Sequence, residues 1–478
     1  MKSSDLVALF PILIVSATSL LVILLLAMKR HHRLTAGLSL AGLAAAFIVL
    51  ITQWNEPSRL ITGLLVVDQF TSLYTGVLLV TTAAVLLIAY GYLDRTSEHK
   101  EEFYILTLLA TVGSMVLVAS SHFASFFLGL EILSVSLYAL IAYVRSGTLP
   151  LEAGIKYLVL ASSSAAFLLF GMALVYAELG TMNLGQLSLA LSDLPADARF
   201  SMVLSGSLFV LVGVGFKLAL VPFHLWTPDV YQGAPLPVTA LIATISKASV
   251  FGLLLRWFHA LGLLRGSVWI MLFLAAILSM LAGNLLALFQ TNVKRILAYS
   301  SIAHMGYFFV AVLAGGTFAF QAATYYLIAY LITITGALGV LTVAGADDAE
   351  SCELENYRGL FWRSPLLAGV LTAMLLSLAG IPLTAGFLGK FYVIAAGASS
   401  SAWTLVIVLI LSSVIGLFYY LRIVVALYTP ADSEAISISQ VPLTTGIALG
   451  LTALFLFCFG IFPGLLWPAV NDAVRSLG

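Results

Sequence analysis

Glu131, Lys217, Lys247 and Lys390 each sit inside long apolar runs, where an ionised side chain is expensive. A charge at the centre of a bilayer costs about 2.5–3.5 kcal/mol on insertion scales, so such residues are rare there and usually functional. Glu131 lies in FFLGLEILSVSLY with no second acid in its run. Its plainer alternative is a static ion pair that fixes helix packing. Such pairs are often no better for stability than apolar residues of similar volume, which favours a functional carboxylate. Three buried lysines against one buried glutamate cannot all stay charged cheaply. Some lysine is then neutral part of the time, and a lysine able to lose its proton can relay one. Lys156 is a further candidate about one turn inside its run. Glu152 precedes it by one turn, so it can equally extend its ammonium to the surface. His224 and His304 are possible relays because imidazole titrates near neutral pH. Each is also compatible with a packing role. The hydroxyls of Ser162, Ser163 and Ser164 could hold water, but helix-to-helix bonding is the better reading.

Two prolines interrupt the runs beside these lysines. Residues 213–247 read GVGFKLALVPFHLWTPDVYQGAPLPVTALIATISK, with Lys217 and Lys247 bracketing Pro222. A proline inside a helix removes one hydrogen bond and collides with the carbonyl four residues back, here that of Leu218. That carbonyl is one residue from Lys217. In SLAGIPLTAGFLGKFYV, Gly380, Pro382 and Gly386 precede Lys390. Non-helical backbone at membrane depth is tolerated only where it is buried in protein or lines a wet cavity. An ammonium beside an unwound carbonyl there is what an ion path needs.

The elements that must hold these residues are membrane spans. The chain has 478 residues, 62% hydrophobic and 9% charged, with mean hydropathy +1.10. Soluble domains carry about 25% charged residues. Apolar runs of about 20 residues recur fourteen times, at 6–28, 34–53, 68–92, 103–119, 123–143, 153–178, 201–226, 236–258, 267–289, 296–314, 319–344, 365–397, 402–428 and 443–467. The first is too long for a signal peptide. The weakest division is the short one at Ser120, Ser121 and His122. An all-α polytopic membrane protein follows. Ten basic residues on odd-numbered connections against four on even-numbered ones put both termini outside by the positive-inside rule. The acidic connection holding Asp347, Asp348, Glu350, Glu353 and Glu355 is a solvated loop or a docking strip. Trp226, Tyr231 and Trp257 read as interfacial belt aromatics.

Spans four to eight and nine to thirteen form two sets of five, and the fourth member of each carries the proline break. An odd number per set makes the second copy inverted. The expected organisation is an N-terminal three-helix segment at 1–102, five-helix repeats at 103–260 and 261–428, each a proton half-channel, and a C-terminal helix at 429–478. Zero net charge gives no sign of a nucleic-acid partner. Cys352 and Cys458 have no metal-ligand spacing, and no phosphate loop or dinucleotide fingerprint occurs. Neither a metal nor a cofactor site is expected in this chain.

GFKLALVPFHLWTPDVYQGAPLPVTA resembles the signature of the antiporter-like membrane subunits of respiratory complex I, NADH–quinone oxidoreductase. KRILAYSSIAHMGY and SLAGIPLTAGFLGKFYV are similar to further motifs of that family, over residues 6–467 as a whole. The VYQGAP wording resembles the N form of these subunits rather than the L and M forms. The resemblance implies fourteen helices with two inverted five-helix repeats. It also implies one proton moved per cycle, coupled to quinone reduction elsewhere in a bacterial inner-membrane complex. Carried onto matching positions, Glu131 pairs with Lys217, Lys247 is the central relay and Lys390 faces the outer exit. Lys156 matches a further family lysine. NADH, FMN, iron–sulfur clusters and quinone would belong to other subunits, with subunits K and M as neighbours and lipid around. The alternatives are a subunit of a cation/proton antiporter, a membrane hydrogenase or a ferredoxin-dependent photosynthetic complex, or a scaffold that does not pump.

Overall fold

The structure, a computed structural model, describes residues 3–96, 99–144, 147–193, 202–261, 266–345, 352–430 and 441–477. The acids Asp347, Asp348 and Glu350 of the acidic connection fall outside them. Among the described residues, twelve helices are long and apolar enough to cross a membrane. The two remaining expected spans are the proline-broken ones, each of which divides into shorter helices.

A short α1 (Ser3–Ala8) leads into α2 (Phe10–Met28) and α3 (His32–Thr52). A small hairpin follows, β1 (Arg59–Ile61) paired with β2 (Leu65–Val67). Then come α4 (Gln69–Thr96), α5 (Glu101–Ala119), α6 (Phe123–Ile141) and α7 (Thr148–Leu179). The turn between α5 and α6 is pinned from both sides. Ser121 N–H donates to Leu64 O of the hairpin, and Phe123 N–H donates to Met182 O. Three residues can therefore end one span and start the next. A helix absent from the sequence reading, α8 (Leu184–Asp193), lies along that end.

The first broken span becomes α9 (Met202–Leu218) and α10 (Trp226–Gly233). Helix α11 (Leu236–Leu241) continues through a wide π-helical turn, Ile242–Ser246, into α12 (Lys247–Leu261). Next are α13 (Ser267–Leu288), α14 (Val293–Ala314), α15 (Thr317–Ala344) and the one-turn α16 (Leu360–Arg363). The second broken span becomes α17 (Pro365–Ala379) and α18 (Ala385–Ser399). The chain closes with α19 (Trp403–Tyr428), α20 (Leu443–Ile461) and a surface helix α21 (Trp467–Arg475).

Helices α11–α12, α14 and α15 are buried nearly all round, whereas α2, α7 and α20 leave most of their surface open. Packing recurs along the chain: α5 lies on α6 as α13 lies on α14, and α7 lies on α9 as α15 lies on α17 and α18. Both of the first pairs close through facing glycines. A Cβ on Gly129 would come within 2.8 Å of Leu117 N, and one on Gly306 within 2.8 Å of Ala276 O. Small residues let helix backbones approach where lipid offers no hydrophobic drive to association.

Arg256 lies near the end of its apolar run, where a basic side chain ordinarily reaches water, yet it is buried. Its guanidinium holds Asp68 through two bonds, of 2.7 and 2.9 Å, and donates to Thr71 Oγ1 at 2.8 Å. Asp68 also accepts from Thr71 N–H at the head of α4. The pair ties α12 to α4.

Candidate functional site

The buried charges gather along the inside of the helix bundle. Lys217 ends α9 just before the break. Its Nζ donates to Ser134 Oγ at 2.7 Å and to Tyr157 OH at 3.2 Å, and lies 5.1 Å from the Tyr157 ring centroid. The expected contact pair with Glu131 does not form: among the described residues no carboxylate is within ion-pair distance of Lys217. Ser134 lies one turn beyond Glu131 on α6, so the two share a face, and the hydroxyl is the group that meets the ammonium. Glu131 Oε1 is buried without a hydrogen-bond partner among the described residues.

The break itself differs from the simple proline picture. Helix α9 stops at Leu218, with Ala219 in the left-handed region at φ 60°. The carbonyl that gains a side-chain donor is Phe216 O, from Trp226 Nε1 at 2.9 Å. Lys217 uses hydroxyls. The arrangement expected here is found at the second break. There α17 ends at Ala379, and Lys390 Nζ donates to Leu378 O at 2.7 Å, Ala379 O at 3.0 Å and Ser413 Oγ at 2.8 Å. Gly380 and Leu383 take positive φ to turn the chain. Gly386 opens α18 against Ser377, where an added Cβ would sit 2.2 Å from Ser377 O. That contact involves backbone and cannot yield cheaply. Gly386→Ala should therefore push the two half-helices apart and loosen the Lys390 site. The expected result is a loss of at least about 1–3 kcal/mol of stability, read as a lower melting temperature of the purified assembly.

Lys247 is fully buried and begins α12 directly after the π turn. Such turns are frequent at functional sites. Lys247 Nζ donates to Ser301 Oγ at 2.6 Å and lies 5.8 Å from the Tyr231 ring. Ser301 shares a 2.6 Å bond with Tyr330 OH and accepts from Tyr231 OH at 3.4 Å. On α14, Ser300 and Ser301 lie four and three residues before His304, and Tyr307 three after it, so each is on the His304 face. His304 Nδ1 meets Tyr326 OH at 2.8 Å, and its Nε2 meets Tyr420 OH at 3.2 Å. Tyr420 in turn bonds Ser300. Tyr307 OH is held by Asn284 and Ser412, and its ring lies 5.2 Å from Lys390 Nζ. Hydroxyls and one imidazole therefore lie between Lys247 and Lys390, joined partly by hydrogen bonds and partly by ring contacts of His304 with Tyr330 and Tyr307, each 5.3 Å between centroids.

Between Lys217 and Lys247 stands α10. It presents Trp226 to the Tyr157 ring, at 5.0 Å, and Tyr231 to Lys247. Trp226, Tyr231 and Trp257 are all buried. The belt reading fails for Trp226 and Tyr231 because the broken helix folds its second half inward, and for Trp257, on α12, because Phe123 and Phe126 of α6 pack against its ring. Lys156 lies apart from the row. Its side chain is 43% exposed and is paired with Glu152 at 2.6 Å and Asp229 at 3.0 Å. Arg295 takes the other oxygen of Asp229 at 2.8 Å, and Lys294 caps α10 through Gln232 O and Ala234 O. Lys156 thus belongs to the clamp that holds α10. His224 sits in the first break with Nδ1 buried and unpartnered among the described residues. Ser164 Oγ donates to Gly213 O, a helix-to-helix bond.

Sequence reasoning missed Ser134, Tyr157, Tyr231, Ser301, Tyr307 and Tyr330. The available signal was the SSIAHMGY spacing, which lines up hydroxyls with His304 on one helix face.

Residues 120–416 match the family described as NADH:quinone oxidoreductase/Mrp antiporter, TM. The chain is 45% identical over 469 residues to NADH-quinone oxidoreductase subunit N of Methylococcus capsulatus (strain Bath), covering 97% of this chain and 94% of that one. The chain belongs to the antiporter-like membrane subunits of NADH-quinone oxidoreductase, in the subunit N line. Within complex I it is a multi-pass membrane subunit. Among solved structures it resembles a chain of respiratory complex I from Thermus thermophilus with bound aureothin. That match has TM-score 0.83 and 33% identity and covers 97% of this chain and 99% of that one. A chain of the archaeal membrane-bound sulfane sulfur reductase is also similar, with TM-score 0.87 and 26% identity over 99% and 98%. The Mrp complex from Dietzia sp. shares the fold, with TM-score 0.86 and 22% identity over 100% and 98%. The antiporter family therefore shares this architecture, while sequence identity favours the complex I line.

Proposed function

We propose that this subunit moves protons along Glu131, Lys217, Lys247 and Lys390, with His304 relaying between the last two. The observation that carries the reading is the partner set of the lysines. Each ammonium is held by neutral oxygens and an aromatic face, with no carboxylate in contact among the described residues. A static packing charge would be paired, whereas an ammonium on hydroxyls can hand over its proton and keep a hydrogen bond. Residues 103–260 and 261–428 act as two inverted half-channels meeting at Lys247. Glu131 biases the charge on Lys217 through space, from one turn before Ser134 on α6, and His224 is a subsidiary relay at the first break. In this reading NADH, FMN, iron–sulfur clusters and quinone are handled by other subunits. Subunits K and M flank this one, and both termini face the periplasm of the bacterial inner membrane.

Lys217→Ala should lower proton uptake and quinone reductase turnover together, by about a hundredfold or more if the lysine is an obligatory proton carrier. Lys156→Ala should cost far less, because its ammonium is half exposed and Arg295 still holds Asp229. Proton uptake by vesicles carrying the assembled variants, normalised to complex content, makes the comparison. A normal proton-to-electron ratio and normal turnover in Lys217→Ala would defeat the proposal. A scaffold that does not pump predicts that outcome.

A further inference from the structure

Two apolar hollows of about 240 and 300 Å³ lie end to end between α3, α4, α15 and α20, sharing Phe47, Val80, Leu331 and Phe455 as walls. The second opens into a polar hollow of about 190 Å³ under the hairpin, with Trp54 and Ser72 lining both. The polar end contains Gln53, Glu56 and Arg59. Asp68, also there, is already committed to Arg256. Glu56 and Arg59 are only loosely paired, at 3.8 Å, with side chains 63% and 32% exposed. A cation and an anion therefore stand side by side at the mouth of an apolar groove.

We propose that this is a binding site for one zwitterionic phospholipid. Its phosphate sits on Arg59, its ammonium on Glu56, and one acyl chain runs down the groove. An arginine fork suits a phosphate, and Trp54 stands at the polar–apolar boundary where tryptophan is favoured. Along α4 the groove runs from Ser72 to Leu87, about 22 Å at 1.5 Å per residue. One leaflet's share of a 30 Å hydrocarbon core is roughly 15 Å, so a chain entering at the headgroup end stays in the groove throughout. The site also gives the N-terminal helices a cement against α15 and α20 that direct packing leaves incomplete.

The test uses the whole purified complex, reconstituted with a phosphatidylethanolamine carrying a diazirine in one acyl chain. After illumination, adducts are mapped by mass spectrometry. The expected result is labelling concentrated on the facing surfaces of α3, α4, α15 and α20, above the level on the lipid-exposed face of α7. Val80→Trp, at a position 46% exposed, should fill the groove and remove most of that label. Leu451→Trp should do the same from the α20 side, which separates groove filling from a local folding defect. Arg59→Gln should cut labelling by about tenfold through loss of a charge-assisted hydrogen bond. Groove labelling no higher than on α7, or unchanged by both tryptophan variants, would overturn the site. Labelling unaffected by Arg59→Gln would overturn the headgroup assignment. A crosslink from Val80→Cys to a sister subunit would show a protein occupant instead.

Discussion

Lys247→Arg should keep the complex assembled and lose about a hundredfold or more of its proton uptake. General acid–base transfer by a positioned group typically contributes 10²–10⁴-fold, which sets the scale. The argument rests on what arginine retains. It keeps the positive charge, and its planar fork can still donate to Ser301, but it does not lose a proton in a protein. A static counter-charge would tolerate the change, because charge is all it supplies. A relay would not. Lys247 is fully buried, its ammonium held by Ser301 beside Tyr231 and Tyr330. Arginine must fit the same pocket, so a second variant is needed to separate crowding from chemistry. Lys247→Met is close in volume and removes the charge; it too should abolish uptake. Near-wild-type pumping by Lys247→Arg would mean that the residue holds charge and relays nothing.

Removing one partner of the Arg256–Asp68 pair should cost stability more than any other single polar change described above. Breaking a buried ion pair from one side leaves an uncompensated charge, at about 3–5 kcal/mol. Native domains have only about 5–15 kcal/mol in total. Arg256→Ala and Asp68→Ala are each expected to reduce the amount of this subunit in the purified complex. They should also lower its melting temperature. Replacing both members by apolar residues of similar volume, Arg256→Met with Asp68→Leu, should recover much of the loss, because neither charge then remains buried. Arg256→Ala with Asp68→Ala removes both charges and leaves both cavities, so partial recovery in that variant identifies the unpaired charge as a cost separate from the cavity. Single variants that assemble and melt like wild type would show that the pair contributes no net stability.

Both predictions concern ionisable groups that differ in how visible they were. Lys247 stood out in the sequence because a charge ten residues from either end of an apolar run violates a large and simple energetic rule. Arg256 did not, because it lies near the end of its run, where a basic residue ordinarily reaches water. Its burial comes from the hairpin and α4 folding over that end, through a partner 188 positions away in sequence.

By itself the sequence determined that the chain is a membrane protein of about fourteen spans, broken beside Pro222 and Pro382, with Glu131 and three lysines at depth. Insertion energetics act residue by residue along the chain, so hydropathy and proline position record them directly. Only the tertiary structure decided which groups those residues meet. Lys217 finds Ser134 and Tyr157 rather than Glu131, and Lys390 finds the two carbonyls that the second break sets free. It also decided which helices face protein. The buried α15 and the largely open α20 are almost equally apolar, because lipid tails and helix cores are equally apolar. Side-chain partners and protein-facing surfaces are properties of packing between distant segments, and apolar content is the same on both sides of that choice.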